Sequence, residues 1–220
     1  TINAQTLKTE LTDAGNESLA LEGLARQQGF DISAAHTAYV DAHNSLKVLR
    51  IIKDKHKESW EKFLTTSTKS SGESILKFEG IYSIFENVKG RNMMYLVSTL
   101  HPEHCFHPSY ASWGYLWDLR RDPEPFLNMS VNELKATLKK ISPKALRVIK
   151  TNKAPIVLDK KFALKEKAYS ELDLVTIEKR AKLVRNSENF CKNIQIINRE
   201  VAEEKAQTQS QEDLLPEETL

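Results

Sequence analysis

Residues 81–100 read IYSIFENVKGRNMMYLVSTL, and the fold class turns on how they are read. Two short runs rich in β-branched and aromatic residues, Ile81 to Phe85 and Met93 to Leu100, flank a polar stretch in which Asn87 and Gly90 are turn signals. The same texture continues outward. Ile75 to Phe78 precedes the pair, and Trp113 to Leu119, Leu146 to Lys150 and Pro155 to Leu158 follow it, with further turn signals at Pro102, Pro108 and Pro123. Several short strands at such spacing predict a small β-barrel.

Helices are expected within and around it. Ser130-Val131-Asn132-Glu133 is a capping box, whose hydroxyl and carboxylate satisfy free amides at the start of Leu134 to Ile141, and Pro143 prevents continuation. Asp173 can start a helix to about Arg185, and Glu188 to about Ala206 sets Phe190, Ile194, Ile197 and Val201 on one side. Upstream, Asn16 is expected to cap a helix through Gln28, ended by Gly29 in a left-handed turn, with Leu21, Leu24 and Ala25 on one face. A second helix runs from about Ala35 past Ile52 on a stripe of Leu46, Leu49 and Ile52 with the flanking Val48 and Ile51. The lysine-rich Lys53 to Lys57 breaks that stripe. A boundary near His56 therefore divides residues 1–56 from 57–206, and within the second part Ser67 to Glu73 reads as a linker. Residues 207–220 are polar and acidic, and read as a linker to a further domain.

The 220 residues suffice for one large or two small domains, and 40% hydrophobic content is ample for a core. A net charge of +2 neither favours nor excludes nucleic acid, so any such affinity must come from local clustering of Lys and Arg. Cys105 and Cys191 are too few for a disulfide framework, and no apolar run approaches the ~20 residues that span a bilayer. A cytoplasmic, non-membrane protein is the expectation.

His36-Thr37-Ala38-Tyr39-Val40-Asp41 carries the chemistry. Hydrolysing a phosphodiester needs a water deprotonated in line with the leaving oxygen, and divalent cations to hold the developing charge. A base and a hard oxygen ligand must face one phosphate. With His36 in a loop or first turn and Asp41 on the helix, both can reach such a site, the small Ala38 allowing close packing underneath. Read blandly, the same residues are a helix N-terminus and a solvated charge.

These six residues fit an H-x-A-x-x-D signature. Together with Leu21-Glu22-Gly23-Leu24-Ala25 through Gly29-Phe30, they resemble the last third of the nuclease domain in the bacterial exodeoxyribonuclease I family, a branch of the DEDDh exonucleases. His101-Pro102-Glu103, Tyr115 to Leu119 and Thr151 to Leu158 are similar, in order and spacing, to the strands of that family's SH3-like domain. The resemblance runs from about Ser18 to about Arg199. It implies an α+β chain: the helical C-terminal remnant of a ribonuclease H-like exonuclease domain, then an SH3-like small β-barrel with inserted and trailing helices. It further implies a Mg2+-dependent 3′→5′ exonuclease acting on single-stranded DNA in repair and recombination, working as a monomer. His36 would be the general base and Asp41 a metal ligand. Lys69, Arg147 and Asn152 match positions that contact the single strand, while Lys165 and Arg185 match basic positions that take the acidic tail of single-strand-binding protein.

Two departures qualify this. The family's Asp-x-Glu and middle-motif Asp have no counterpart, since Asp122-Pro123-Glu124 reads as a turn, and Ala20 stands where a basic residue is usual. The chain is therefore read as an internal fragment, inactive alone. The rival reading is a non-catalytic module that binds single-stranded DNA or the acidic tail.

Other candidates have local explanations. His101, His104, Cys105 and His107 are zinc-ligand types, but four ligands within seven residues would strain a tetrahedral site, so a long loop between strands is expected. Of the aromatic residues, Tyr110 and Trp113 lie in or beside that loop and are the candidates for stacking on bases.

Overall fold

A computed structural model describes residues 7–78, 80–88 and 91–212. The fold is α+β, built on a five-stranded antiparallel sheet. Ile81–Val88 (β3) and Arg91–Thr99 (β4) pair from Ile81↔Ser98 to Val88↔Arg91, so strand pairing extends past Asn87 to the end of β3; Gly90 lies outside the described residues. Trp113–Asp118 (β5), Leu146–Lys150 (β6) and Val157–Asp159 (β7) complete the order β6-β5-β4-β3-β7. The second half of β4, Tyr95 to Thr99, is buried at every position. Alternation fails there because both faces are covered. The helix Leu174–Asn186 (α6) supplies one of the covers.

The local signals for helices hold where the cap is a side chain. Ser130 accepts from the Glu133 amide while the Glu133 carboxylate accepts from the Ser130 amide, and Val131–Lys140 (α5) follows. Asp173 caps α6 through the Thr176 amide at 2.6 Å. Glu188–Glu212 (α7) runs six residues beyond the expected end at Ala206, so much of the presumed linker is helix, and 213–220 lie outside the described residues.

Three expectations fail where other local signals or tertiary contacts outweigh the texture of the sequence. Asn16 does not cap a helix. It closes a hairpin between Glu10–Leu11 (β1) and Glu17–Ser18 (β2), with Gly15 at φ 73°, and the first helix, Leu21–Gln27 (α1), starts at Ala20 without a side-chain cap. Gly29 takes the left-handed turn after α1 as expected, at φ 73°. Neither the Ser67 to Glu73 linker nor the Ile75 to Phe78 strand exists as such. Thr68 and Ser71 form a capping box for Lys69–Lys77 (α4), which seats Leu76 so closely on β5 that a Cβ on Gly114 would lie 2.0 Å from its Cδ1.

The main core gathers Leu76, Leu96, Leu116, Trp117, Leu134, Ile177 and Ile194, with Trp117 edge-on to Phe126 and Phe190 at 5.3 and 5.4 Å. A separate small core holds Leu7, Leu24 and Val48, with Leu21, Phe30, Ile51 and Ile52 against it. Its longest element is Ala38–Lys55 (α2), whose buried stripe is Asn44 and Val48, not Leu46 and Leu49, which are exposed. Lys57–Thr65 (α3) leaves α2 at His56 and packs against β7. No described helix is long and apolar enough to cross a membrane.

Both thiols are fully buried, and burial pushes each up to about 11. At pH 8 a thiol reagent should therefore modify neither cysteine in the native protein and both in urea, at a rate set by unfolding. Prompt labelling under native conditions would contradict this packing.

Candidate active site and strand interface

The turn before α2 is held by its own side chains. The Asp31 carboxylate accepts from the Ser33 amide at 2.8 Å, and that backbone bond, with the Ser33 hydroxyl, holds its carboxyl below the ordinary range. The buried Asn44 amide donates to the Asp31 carbonyl at 2.9 Å, fastening the turn to the helix. Thr37 caps α2 through the Val40 amide and donates its hydroxyl to the Ala34 carbonyl. Between these anchors His36 sits at φ 68°. This region is costly for a residue with a Cβ, and such strain persists only where the surroundings impose it.

The imposing contacts are carboxylates. The His36 amide donates to Asp41 Oδ1 at 3.3 Å, and His36 Nε2 lies 3.3 Å from Glu22 Oε2 on α1. Glu22 also pairs with Arg26, which in turn reaches Glu10. The imidazole is 84% exposed, while Asp41 is half-buried in the first turn of α2. An open imidazole beside Glu22 thus stands at a helix N-terminus where Asp41 holds the His36 backbone amide, a place that favours negative charge. Ala38 is exposed and packs nothing beneath it, contrary to expectation. Glu22 was quoted from the sequence only as part of a motif. Its pairing with His36 depends on the angle between α1 and α2, which no local pattern encodes.

Lys69 lies on the first turn of α4 instead of in a linker, 3.6 Å from Glu73 and mostly exposed. That helix packs on the 3-10 turn Thr151–Lys153, Gly72 fitting against Thr151, so Lys69 and the exposed Asn152 come to one end of the sheet. The Thr151 amide donates to the Ser112 carbonyl, which brings the aromatic loop to the same place. There Tyr110, 44% exposed, lies 4.8 Å from Trp113, and Lys150 Nζ sits 4.6 Å above the Trp113 ring.

Arg147 is different. It is only 8% exposed, so it is no solvated charge. Its guanidinium lies 3.2 Å from Glu86, 3.7 Å from Asp118 and 3.5 Å above the Tyr95 ring. Burial pushes the Glu86 carboxyl up, and Arg147 pulls it partly back. Asp118, with no exposed surface, also accepts from the Arg120 amide, the Arg120 guanidinium and the Tyr169 hydroxyl at 3.0, 2.8 and 2.9 Å. A phosphate could reach Arg147 only in exchange for these contacts, so its position braces the sheet.

Lys165 ends the 3-10 turn Ala163–Lys165, exposed, with Nζ 5.9 Å from the Phe162 ring. Arg185 lies instead on α6, lining a cleft of about 350 Å3 with Lys160, Lys182, Asp159 and Glu178. The zinc-type cluster divides. Cys105 turns inward and donates to the Pro102 carbonyl, and buried His107 accepts from the Ser109 and Tyr110 amides. Burial alone lowers the pKa of His107. Asp122 accepts from the Glu124 amide in a turn, with Glu124 turned toward Lys179, so these carboxylates do not form a ligand pair.

Residues 93–200 match the family described as the Exonuclease I SH3-like domain. That part of the chain is thus similar to the SH3-like domain of exonuclease I. Solved structures agree on the fold. Exonuclease I from Methylocaldum szegediense is similar at TM-score 0.66 and 18% identity, over 89% of this chain and 44% of that one. E. coli exonuclease I in complex with a dT13 oligonucleotide gives TM-score 0.63 and 17% identity over 89% and 45%. An ExoI/SSB-Ct complex gives 0.62 and 16% over 89% and 43%. The chain thus spans less than half the length of these relatives. No curated protein sequence matches it.

Proposed function

We propose that the chain is part of a magnesium-dependent 3′→5′ exonuclease that degrades single-stranded DNA to mononucleotides during repair and recombination. The observation that carries this reading is His36, exposed in a strained conformation between Asp41 and Glu22. The strain has no structural benefit in view, whereas a base aimed at solvent beside a hard oxygen ligand has a chemical one.

Asp41 is a half-buried carboxylate with open surroundings, and the donor set suits Mg2+, which is commonly held by one or two carboxylates, waters and substrate phosphates. Bound there, the ion would supply a Lewis acid and a nucleophilic water. His36 would be the residue that takes a proton from the attacking water. Nε2 faces the Glu22 carboxylate at 3.3 Å, so Nδ1 is the atom left open to receive it. Lys69 and Asn152 hold the strand by its phosphates, Tyr110 and Trp113 offer faces for bases, and Arg147 keeps β6 in place beneath them. Lys165 and Arg185 take the acidic tail of single-strand-binding protein, a reading that the ExoI/SSB-Ct complex of the relative supports. The remainder of the nuclease domain covers the exposed Tyr39, Leu46 and Leu49 of α2. Two free buried thiols fit a cytoplasmic protein, here a monomer.

Cleavage needs more carboxylates than Asp41, and none of the described residues adds a third ligand at His36. The chain alone therefore binds without cutting. Restoring the amino-terminal strands and assaying a 3′-ended oligonucleotide with Mg2+ tests the reading; no release of mononucleotides would refute it.

A second reading is a binding module without catalysis, favoured by Ala20, which begins α1 without a side-chain cap where a phosphate-binding cation is usual. For the chain alone both readings make one prediction. Fluorescence anisotropy with a labelled oligonucleotide should show affinity falling as salt rises, and Lys69→Ala should flatten the log–log slope by about 0.7. A slope unmoved by that substitution would remove Lys69 from the strand path.

A further inference from the structure

The geometry points to a second metal site, distinct from His36 and Asp41: a transition-metal site for an ion of the zinc class, formed by His101, Glu103 and His104, with Glu188 beside His104. From the sequence the difficulty with zinc is that its ligands crowd into one short piece. The tertiary structure removes it. His101, Glu103 and His104 sit on and beside the 3-10 turn Pro102–His104, with one ligand atom from each within 4.8 Å of the others. Glu188, the first residue of α7, brings a carboxylate from a distant segment to His104.

The hydrogen-bond directions at His104 favour a cation, while His101 Nδ1 accepts from the Glu103 amide at 3.4 Å, a long contact that an ion would replace. Gln195 Nε2 donates to the Phe106 carbonyl at 3.1 Å, so its Oε1 is the atom that faces His104 Nδ1, at 3.0 Å. An oxygen there must accept, so Nδ1 carries the hydrogen and Nε2 of the neutral ring presents a lone pair. That lone pair faces Glu188 Oε1 at 3.5 Å. Two acceptors face to face call for a positive charge, which Lys192 Nζ supplies on the same Glu188 oxygen when no ion is bound. Tetrahedral zinc with bonds of 2.0–2.1 Å sets its ligands about 3.3 Å apart, close to this separation. Gln195 does for His104 what an outer-shell partner does for a metal-bound imidazole, fixing tautomer and ring plane. Lys192 also pairs with Glu188, but from an exposed side chain that can swing away. Cys105 and His107 face the interior and take no part. A bound ion would tie the loop before β5 to α7.

The full chain should be titrated with Co2+, whose visible absorption reports tetrahedral coordination, and with Zn2+ in competition. About one equivalent should bind in the wild type and equally in Asp41→Ala, which removes the proposed nuclease ligand. Binding should weaken at least tenfold in His101→Gln, in His104→Gln and in Glu103→Gln, the last on an exposed side chain whose loss leaves the fold intact by circular dichroism. Cys105→Ala should bind as the wild type does. The site is overturned by the absence of saturable binding, by full affinity in the His101→Gln, His104→Gln double variant, or by loss of binding in Asp41→Ala. In the first case a proton bridges His104 and Glu188, and the pair is an ordinary ion pair.

Discussion

Asp118→Ala should destabilise the protein by about 3–5 kcal/mol, the usual effect of removing one partner from a buried charge network. Asp118 has no exposed surface and receives the Arg120 amide and guanidinium, the Tyr169 hydroxyl and, at longer range, Arg147. Removing it leaves Arg147, itself buried, with Glu86 and the Tyr95 ring alone, and leaves the Tyr169 hydroxyl without its acceptor. Tyr169 lies against the core on one side of β4, and Arg147 on an edge strand, so the carboxylate joins the sheet to the chain that leads into α6. Asp118→Asn keeps an acceptor for Tyr169 and loses the charge, and should fall between wild type and alanine. Urea unfolding followed by tryptophan fluorescence gives the measurement, with a lower midpoint at unchanged slope. A loss below about 1 kcal/mol for alanine would mean that the network contributes no more than surface pairs do.

The second large effect is on chemistry. In the full-length nuclease, His36→Ala should lower kcat by about 10²–10⁴-fold with little change in KM, the range for loss of a general base. Asp41→Ala should be at least as damaging, and an unaltered rate in the double variant would remove the catalytic assignment. Stability should move the other way for one further change. His36→Gly relieves the left-handed strain at φ 68° and costs no buried contact, so it should raise stability by roughly 1 kcal/mol while abolishing cleavage. Opposed responses of stability and activity at one residue separate a strained functional group from a structural one. Thermal melts beside oligonucleotide assays would read both.

Legibility varied with the range of the forces. Ser130, Asp173 and Gly29 were read correctly because caps and left-handed turns are settled within a few residues. Leu146–Lys150 was found at both ends because its alternation survives on an edge strand. Ile75 to Phe78 misled, since Ile-Leu-Lys-Phe suits a strand until Leu76 is seen lodged over Gly114. The burial of Arg147 was hidden too: a cation alternating with apolar residues carries no sign of it, and only the approach of Glu86, Asp118 and Tyr95 encloses the side chain.

By itself, then, the order of residues determined the paired strands around 81–100, the capped helices, and a histidine and an aspartate at the start of α2. Those features follow from backbone geometry and hydrogen bonds between near neighbours. Tertiary structure alone decided that Glu22 meets His36, that Arg147 lies inside, and that Glu188 reaches His104. Each of these joins segments whose proximity is set by how helices and sheet pack, and packing is a property of the whole chain.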